Sequence, residues 1–481
     1  MTTTTTSRQA AAGAFSPSRR WAILGVLLAA AVLDLLDATI TNIAAPTITA
    51  DLGGGAVLVQ WLGASYALAL GVLLVVGGRL GDKYGRRRLF LIGITGFTLA
   101  SACCGLAFDP LSIIVARLVQ GSFGALLVPQ GFGILGAVFP RDQLGKAFSA
   151  FAPGMGLAAV GGPILAGLLI DANLAGLSWR AMFLINIVLG GAAIVAALRL
   201  LPADHGDANV SIDGPGSALL GCAMFALLFG LIEGSGGGWS PLPIAAVGVG
   251  AIFLAAFSRR QMTADNPLIQ PSLLRKRGFT AGLVLSIVFF AAVSGLLYVI
   301  SLFLQDGLHY TPVRTAMVGM APIAAGIVIA SILASRLIAK LGRSLILAGL
   351  LITLAGTFGL LAAGYTSGTA VGALEVMPAA LVIGLGMGTC FGTVYDITLG
   401  EVTAAEAGSG SGALSAVQQL ANASGAAAVT TGYFHTLGSG AGSTAGHGHA
   451  MTVSLLIVAA ATLASCCLVW LLPRTARPQH H

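Results

Sequence analysis

The chain has 481 residues, of which 56% are hydrophobic and only 9% charged, against about a quarter charged in a soluble domain. That balance excludes a sizeable soluble catalytic domain and identifies a polytopic helical membrane protein. The formal charge of +7 suits anionic lipid and membrane topology better than nucleic acid, because the basic residues gather in short loops between apolar runs.

Residues 1–20 are rich in Thr, Ala and Ser and read as a disordered, cytosolic N-terminus. Arg19-Arg20 and the apolar run that follows resemble a secretory leader, with Ala29-Ala30-Ala31 as its cleavage site. The polar continuation of this run and the many later spans favour a retained first helix. Segments long enough to cross, at about 20 residues each, fall near 21–46, 57–78, 89–107, 111–136, 146–170, 181–201, 216–234, 241–257, 279–304, 313–337, 344–364, 377–399, 412–433 and 450–472. The pattern predicts fourteen spans and an all-α fold. With the N-terminus inside, all but three of the 24 basic residues lie in cytosolic segments, which supports both the count and the orientation. Of the three, Arg314 lies in an outer loop, Arg180 reads as an interfacial anchor, and Arg117 lies within the fourth span. The tail, 473–481, is cytosolic.

The first span carries Asp34 and Asp37 where hydrocarbon is expected. An ionised carboxylate there costs several kcal/mol unless it is paired, protonated or hydrated. At 1.5 Å per residue, both acids lie roughly 6–10 Å below the outer face, and Arg117 about 9 Å below the same face. An Asp–Arg pair, direct or through water, is therefore within reach, with helix tilt able to move either group by several ångströms. Burial favours a protonated carboxyl and a nearby guanidinium favours the carboxylate, so moving Arg117 relative to Asp37 would switch its hold on a proton.

An internal repeat organises the rest. Gly78-Arg79-Leu80-Gly81-Asp82-Lys83-Tyr84-Gly85-Arg86 follows the second span. Ser335-Arg336-Leu337-Ile338-Ala339-Lys340-Leu341-Gly342-Arg343 follows the tenth. Parallel halves with a cavity at their interface are a transporter signature. The expected division is a six-helix bundle at 21–201, a linker with two additional spans at 202–278, and a second six-helix bundle at 279–472. Asp82 becomes Ala339 in the second copy, so a cytosolic latch through Asp82 would be lopsided.

Several stretches carry a family resemblance. Gly78–Arg88 resembles the loop signature of the major facilitator superfamily, and Leu36–Pro46 is similar to the first-span motif of its drug:proton antiporters. Arg117-Leu118-Val119-Gln120-Gly121 resembles the fourth-span motif. Gly154–Pro163 resembles the fifth-span antiporter motif, which usually continues to paired glycines where this chain has Ala166-Gly167. Trp179–Asn186 is similar to the sixth-span signature of the fourteen-span branch. Gln418–Asn422 is similar to its thirteenth-span segment, without the arginine that often precedes the second Gln. The resemblance covers nearly the whole chain. It implies the major facilitator fold, with two six-helix bundles and two inserted helices, and export of small toxic amphipathic compounds across the cytoplasmic membrane in exchange for protons.

On that resemblance Asp37 and Arg117 are the proton-coupling pair. Three readings stay open for Asp34: a second proton site, a contact for cationic substrates, or a hydrated bystander. Gly78, Asp82, Gly85 and Arg86 are expected to act in gating, as are Gly154, Gly161, Gly162, Pro163 and Gly167, whose small or ring-closed side chains bend helices and allow close packing. Asn42, Tyr66, Gln130, Tyr298, Tyr395, Gln418, Gln419 and Asn422 are polar or aromatic within spans. Each either faces the substrate cavity or hydrogen-bonds between helices. His435, His447 and His449 lie in or near the loop before the last span, as a weak metal site or as incidental histidines in a flexible loop. Gly234–Gly238 lacks the Lys-Ser/Thr of a phosphate-binding loop, and no paired catalytic groups occupy a soluble segment. The expected partners are a small molecule, protons and the lipid bilayer, without cofactor, metal or nucleic acid, and the chain is expected to work as a monomer. The competing functions are a proton- or sodium-coupled transporter of one metabolite and, more distantly, an intramembrane enzyme.

Overall fold

The computed structural model describes residues 16–474, apart from 141–142, 144–146, 148–153, 155–157, 159–160, 163–164, 166–167, 171, 205, 208–212, 265–266, 368–371, 404–405 and 438–443. Among the described residues every regular element is helical. The long helices are α1 Pro17–Leu52, α2 Gly55–Tyr84, α3 Arg86–Gly105, α4 Pro110–Val138, α5 Arg180–Leu200, α6 Gly214–Gly237, α7 Pro241–Thr263, α8 Arg277–Leu302, α9 Ala321–Leu341, α10 Arg343–Ser367, α11 Ala373–Leu399, α12 Ala407–Leu437 and α13 Thr444–Leu468. Helices are the economical solution here, since lipid offers no partner to a backbone N–H or C=O. Their ends are marked in the sequence. Proline opens α1, α4, α6 and α7. The Asp109 carboxylate caps α4 at the Ser112 amide, 2.6 Å away.

Twelve of the described helical stretches are long and apolar enough to cross a membrane, so the chain is a multi-pass membrane protein. The expected count of fourteen is not reached. The fifth expected span lies largely outside the described residues. The thirteenth is α12, a helix of 31 residues that is long enough but not apolar enough. Its first turns bury Ser409, Ser411 and Ser415 against protein, so this helix meets its neighbours where the others meet lipid.

The buried side chains fall into several clusters. One draws only on residues 281–472. Three others draw only on residues 23–201. A further cluster joins them: Leu68 and Val75 of α2 pack with Leu220, Met224 and Leu228 of α6, Phe257 of α7, Leu268, and Ala416 of α12. The pair α6–α7 thus lies against one helix from each side of the molecule.

The end of the molecule that carries the Arg-rich loops, here the basic end, is where the two sides meet. Phe132 of α4 and Tyr395 of α11 have ring centres 6.2 Å apart. A Cβ at Gly412 of α12 would stand 3.2 Å from the Val75 Cα of α2. The segment after α7 ties both sides together there. The Pro267 carbonyl accepts from Arg79 Nη2 at 3.0 Å, and the Leu268 carbonyl accepts from Ser409 Oγ at 3.1 Å.

Candidate functional site

Asp34 and Asp37 stand one turn apart on α1, and Arg117 and Gln120 stand one turn apart on α4. The structure brings these two faces into contact. Arg117 is fully buried and forms an ion pair through Nη1 with Asp37 Oδ2. The same nitrogen donates to Gln120 Oε1 at 2.8 Å, and Nε donates to the Leu62 carbonyl of α2 at 3.1 Å. The other Asp37 oxygen, Oδ1, accepts from Gln120 Nε2 at 2.9 Å and from Asn186 Nδ2 of α5 at 2.8 Å. Asp37 is 2% exposed. Its carboxylate therefore sits in a dry pocket of N–H donors, the environment that makes a buried charge tolerable.

Asp34 has a different environment. It is half-buried and accepts a hydrogen bond from the hydroxyl of Tyr66. The Tyr66 ring lies under Arg117, whose guanidinium carbon is 4.5 Å from the ring centre. Tyr66, proposed from sequence as a cavity residue, is buried and links the two acids' surroundings. With both carboxylates ionised, the cluster of Asp34, Asp37 and Arg117 carries one negative charge in excess. In a low-dielectric site such an excess draws a proton or a cationic group.

The gating candidates divide. Gly85 has φ +94°, and a Cβ there would run into the Asp204 carbonyl, so only glycine fits the turn between α2 and α3. Gly78 is buried in α2. Asp82 pairs with Arg86 at 2.9 Å, and Arg86 also donates to the Gly133 carbonyl at 3.0 Å. The Arg86 amide donates to Asp204 at 2.9 Å, and the Asp207 amide donates to the Asp82 carbonyl at 3.0 Å. All of these partners lie before α6. These contacts clamp the segment that follows α5. Gly154 packs against Leu28, and Gly162 sits against Thr39 of α1, where a Cβ would overlap the hydroxyl. Among the described residues nothing lies within 4 Å of a Cβ at Gly161. Pro163 and Gly167 lie outside the described residues.

The cavity candidates divide too. Tyr395 donates to Gln418 at 2.5 Å beside Phe132 and Phe290. Gln419 and Asn422 are half-buried on the same helix, with Gln419 close to Gly71 of α2. Tyr395 and Gln418 thus make a polar pair beside the Phe132 contact between the two sides. Gln130 does not belong to it: it is 1% exposed and donates to the Gly77 carbonyl at 2.8 Å, holding α4 to α2. Tyr298 is 46% exposed on α8. The Asn42 side chain lies outside the described residues.

At the opposite end from the basic loops, Arg180 is more than an interfacial anchor. It pairs with Asp51 at the end of α1, at 2.6 Å, and donates to the Ala107 carbonyl at 3.1 Å, while Trp179 Nε1 also donates to Asp51 at 3.0 Å. The Arg180 and Trp179 hydrogen bonds hold the Asp51 carboxyl below the usual range. His447 is not part of a flexible loop. It lies in α13, buried, with Nδ1 2.8 Å from the Tyr433 hydroxyl. Among the described residues no group of three or more His, Cys, Asp or Glu is disposed to hold a metal.

The sequence reading left Gln120, Asn186 and Ser101 without roles. The first two stand inside stretches already singled out, and the spacing carried a signal. Gln120 is three residues from Arg117, so it shares its face. Asn186 is the one polar side chain between Arg180 and Arg199 at the two ends of α5, which marks it as bonded without saying to what.

The sequence profile described as Major Facilitator Superfamily matches residues 27–426. A probable actinorhodin transporter of Streptomyces coelicolor is 43% identical over 89% of this chain and 75% of its own length. A puromycin resistance protein of Streptomyces alboniger is 32% identical over 94% of this chain and 91% of its own. A tetracenomycin C resistance and export protein of Streptomyces glaucescens is 31% identical over 85% and 75%. Among solved structures, the human organic anion transporter MFSD10 superposes with a TM-score of 0.68 at 14% identity, covering 95% of this chain and 100% of that one. The proton:xylose symporter XylE gives 0.67 at 15%, covering 95% and 96%. At such identities the two structures speak for the fold alone.

Proposed function

This chain belongs to the Major Facilitator Superfamily, and we propose that it exports small, amphipathic, toxic compounds across the cytoplasmic membrane in exchange for protons. The basic end faces the cytosol by the positive-inside rule, with both termini on that side. The observation that carries the proton coupling is the dry Asp37 carboxylate, held by Arg117, Gln120 and Asn186.

A proton arriving on Asp37 cancels the charge that pairs with Arg117. Arg117 keeps its bonds to the Leu62 carbonyl and Gln120, so the guanidinium stays anchored while its attraction to α1 falls. The α1–α4 contact loosens, and the two helix bundles rock about the cavity between them. When the cavity faces the cytosol the proton leaves and the ion pair re-forms. The contacts of Phe132 with Tyr395 and of Gly412 with Val75 support a state closed on the cytosolic side, with Asp37 ionised and awaiting a proton from outside. The Asp34–Tyr66 pair adds a second polar group within reach of the same pocket.

Export, and cargo of the antibiotic kind, is supported by relatives named for puromycin resistance and for export of tetracenomycin C. The test uses the purified chain in liposomes under an imposed pH gradient, with puromycin, tetracenomycin C and actinorhodin as probes. Gradient-dependent movement of at least one probe, abolished by Asp37→Asn, is expected. Equal rates with and without the gradient overturn the proposal. A narrower reading, one dedicated compound, is favoured by the relative at 43% identity being named for a single compound; movement of only one probe would select it.

A further inference from the structure

Asn186 had no part in the expected site, yet it is 1% exposed and touches Asp37 directly. One of its amide hydrogens goes to Asp37 Oδ1 at 2.8 Å. The other goes to Ser101 Oγ of α3 at 2.9 Å. Ser101 spends its own hydrogen on the Phe183 carbonyl of α5 at 3.1 Å, which leaves its oxygen as an acceptor for Asn186. The serine thus fixes which way the amide points. The reversed amide would set its carbonyl oxygen against a carboxylate oxygen, two acceptors face to face.

A donor locked in this way favours one protonation state. An ionised carboxylate only accepts hydrogen bonds, whereas a carboxylic acid must place a proton on one oxygen. We infer that Asn186, keyed by Ser101, is a positioning residue that stabilises the ionised form of Asp37 and so sets the pH at which the proton is released. This deepens the proposed proton coupling at Asp37 and rests on it. Among the described residues, the titratable and charged groups around Asp37 are Asp34 on its own helix, Tyr66 on α2, Cys104 on α3 and Arg117 on α4. Arg117 supplies the charge, and Asn186 supplies a neutral, directional donor on the oxygen that Arg117 does not hold.

The consequence is a shift in titration. Loss of a hydrogen bond to a charged group moves the midpoint by about one pH unit. The experiment is an infrared pH titration of the purified protein in lipid nanodiscs, with the Asp37 carboxyl band assigned by its loss in Asp37→Asn. In Asn186→Leu the protonated band should persist to a pH about one unit higher than in the unaltered protein. In Ser101→Ala, which leaves the amide in place but unkeyed, the shift should have the same direction and be smaller. An unchanged or lower midpoint in Asn186→Leu overturns the inference. Should that variant not fold, an unchanged midpoint in Ser101→Ala overturns it. The two readings fail separately. An unaltered protein that moves no probe under a pH gradient removes the coupling while a shifted band stands. An unshifted band with intact gradient-driven efflux removes only the role of Asn186.

Discussion

The guanidinium carbon of Arg117 lies 4.5 Å from the centre of the Tyr66 ring, and the hydroxyl of that same tyrosine donates to Asp34. One side chain therefore touches the partner of one acid and is itself the partner of the other. Phenylalanine at position 66 would keep the ring under Arg117 and remove only the donor to Asp34. We expect Tyr66→Phe to slow gradient-driven transport about tenfold, the worth of roughly 1.4 kcal/mol from one hydrogen bond to a charged group. If the loss acts through Asp34, Asp34→Asn combined with Tyr66→Phe should be no slower than Asp34→Asn alone. Initial rates in proteoliposomes for the two single variants and the double variant decide it; multiplied losses would separate Tyr66 from Asp34.

Arg117 should not tolerate lysine. Its Nε and Nη1 serve three acceptors on three helices: the Leu62 carbonyl, Gln120 Oε1 and Asp37. An ammonium keeps the charge but cannot reproduce a planar fork. Breaking a buried pair costs about 3–5 kcal/mol, and lysine recovers only part of that. Arg117→Lys is expected to lose at least tenfold in gradient-driven rate. It should keep probe-for-probe exchange, which needs no proton. Equal loss of both activities would assign Arg117 to packing alone.

Much of this centre is legible in the sequence alone. Asp37 and Arg117 stood out because charge is costly in hydrocarbon, and the rise per residue put them at one depth. Their meeting in an ion pair followed from those two constraints. Asn186 escaped because a neutral amide in a span costs little and most such amides bond between helices; only its distance to Asp37 gives it meaning. Gln130 stays open in the sequence for the same reason, since a cavity glutamine and one bonded to a neighbouring helix's carbonyl look alike there; its bond to the Gly77 carbonyl decides between them. The expected span at 412–433 corresponds to α12, the least apolar of the long helices expected to cross. In the structure α12 buries Ser409, Ser411 and Ser415 against protein, so its polar residues need not face lipid.

Two adjacent glycines should behave differently. A Cβ at Gly161 would meet nothing within 4 Å among the described residues, whereas one at Gly162 would overlap Thr39 Oγ1 on α1. That hydroxyl is itself bonded to the Leu35 and Leu36 carbonyls at 3.0 Å, so it does not turn aside without loss. Gly161→Ala is expected to be near silent. Gly162→Ala should lower transport by about three- to tenfold through a strained α1 contact worth roughly 1 kcal/mol, with membrane insertion unchanged. Thr39→Ala, which removes the offending oxygen, should restore part of the activity of Gly162→Ala. Paired transport and expression assays check this; equal damage from both alanine substitutions would mean that the close approach to α1 is irrelevant.

Glu406 makes the closure at the basic end sensitive to acid. Burial raises its pKa, but hydrogen bonds from Lys276, Ser272 and Thr403 outweigh that and hold the carboxyl at about 2, below the ordinary 4.5. Lys276 Nζ lies 2.5 Å from its Oε2, and the Thr403 amide donates to the same oxygen at 2.9 Å. A carboxyl whose pKa is depressed on folding stabilises the folded state above its unfolded pKa, and that contribution fades as pH falls through the folded value. The contribution, about 2–3 kcal/mol at neutral pH, should therefore be whole above about pH 5 and shrink between about pH 4.5 and 2. Glu406→Gln keeps the shape and removes the charge. Thermal unfolding in detergent should show the variant less stable than the parent at pH 7, with the gap narrowing steadily below pH 4.5. A gap that stays constant with pH would mean that the glutamate acts through shape and not through its ion pair. The same network holds the segment that accepts from Arg79 at the Pro267 carbonyl, so the destabilised variant should also leave the closure at the basic end weaker, read as faster labelling of a cysteine placed at Phe132.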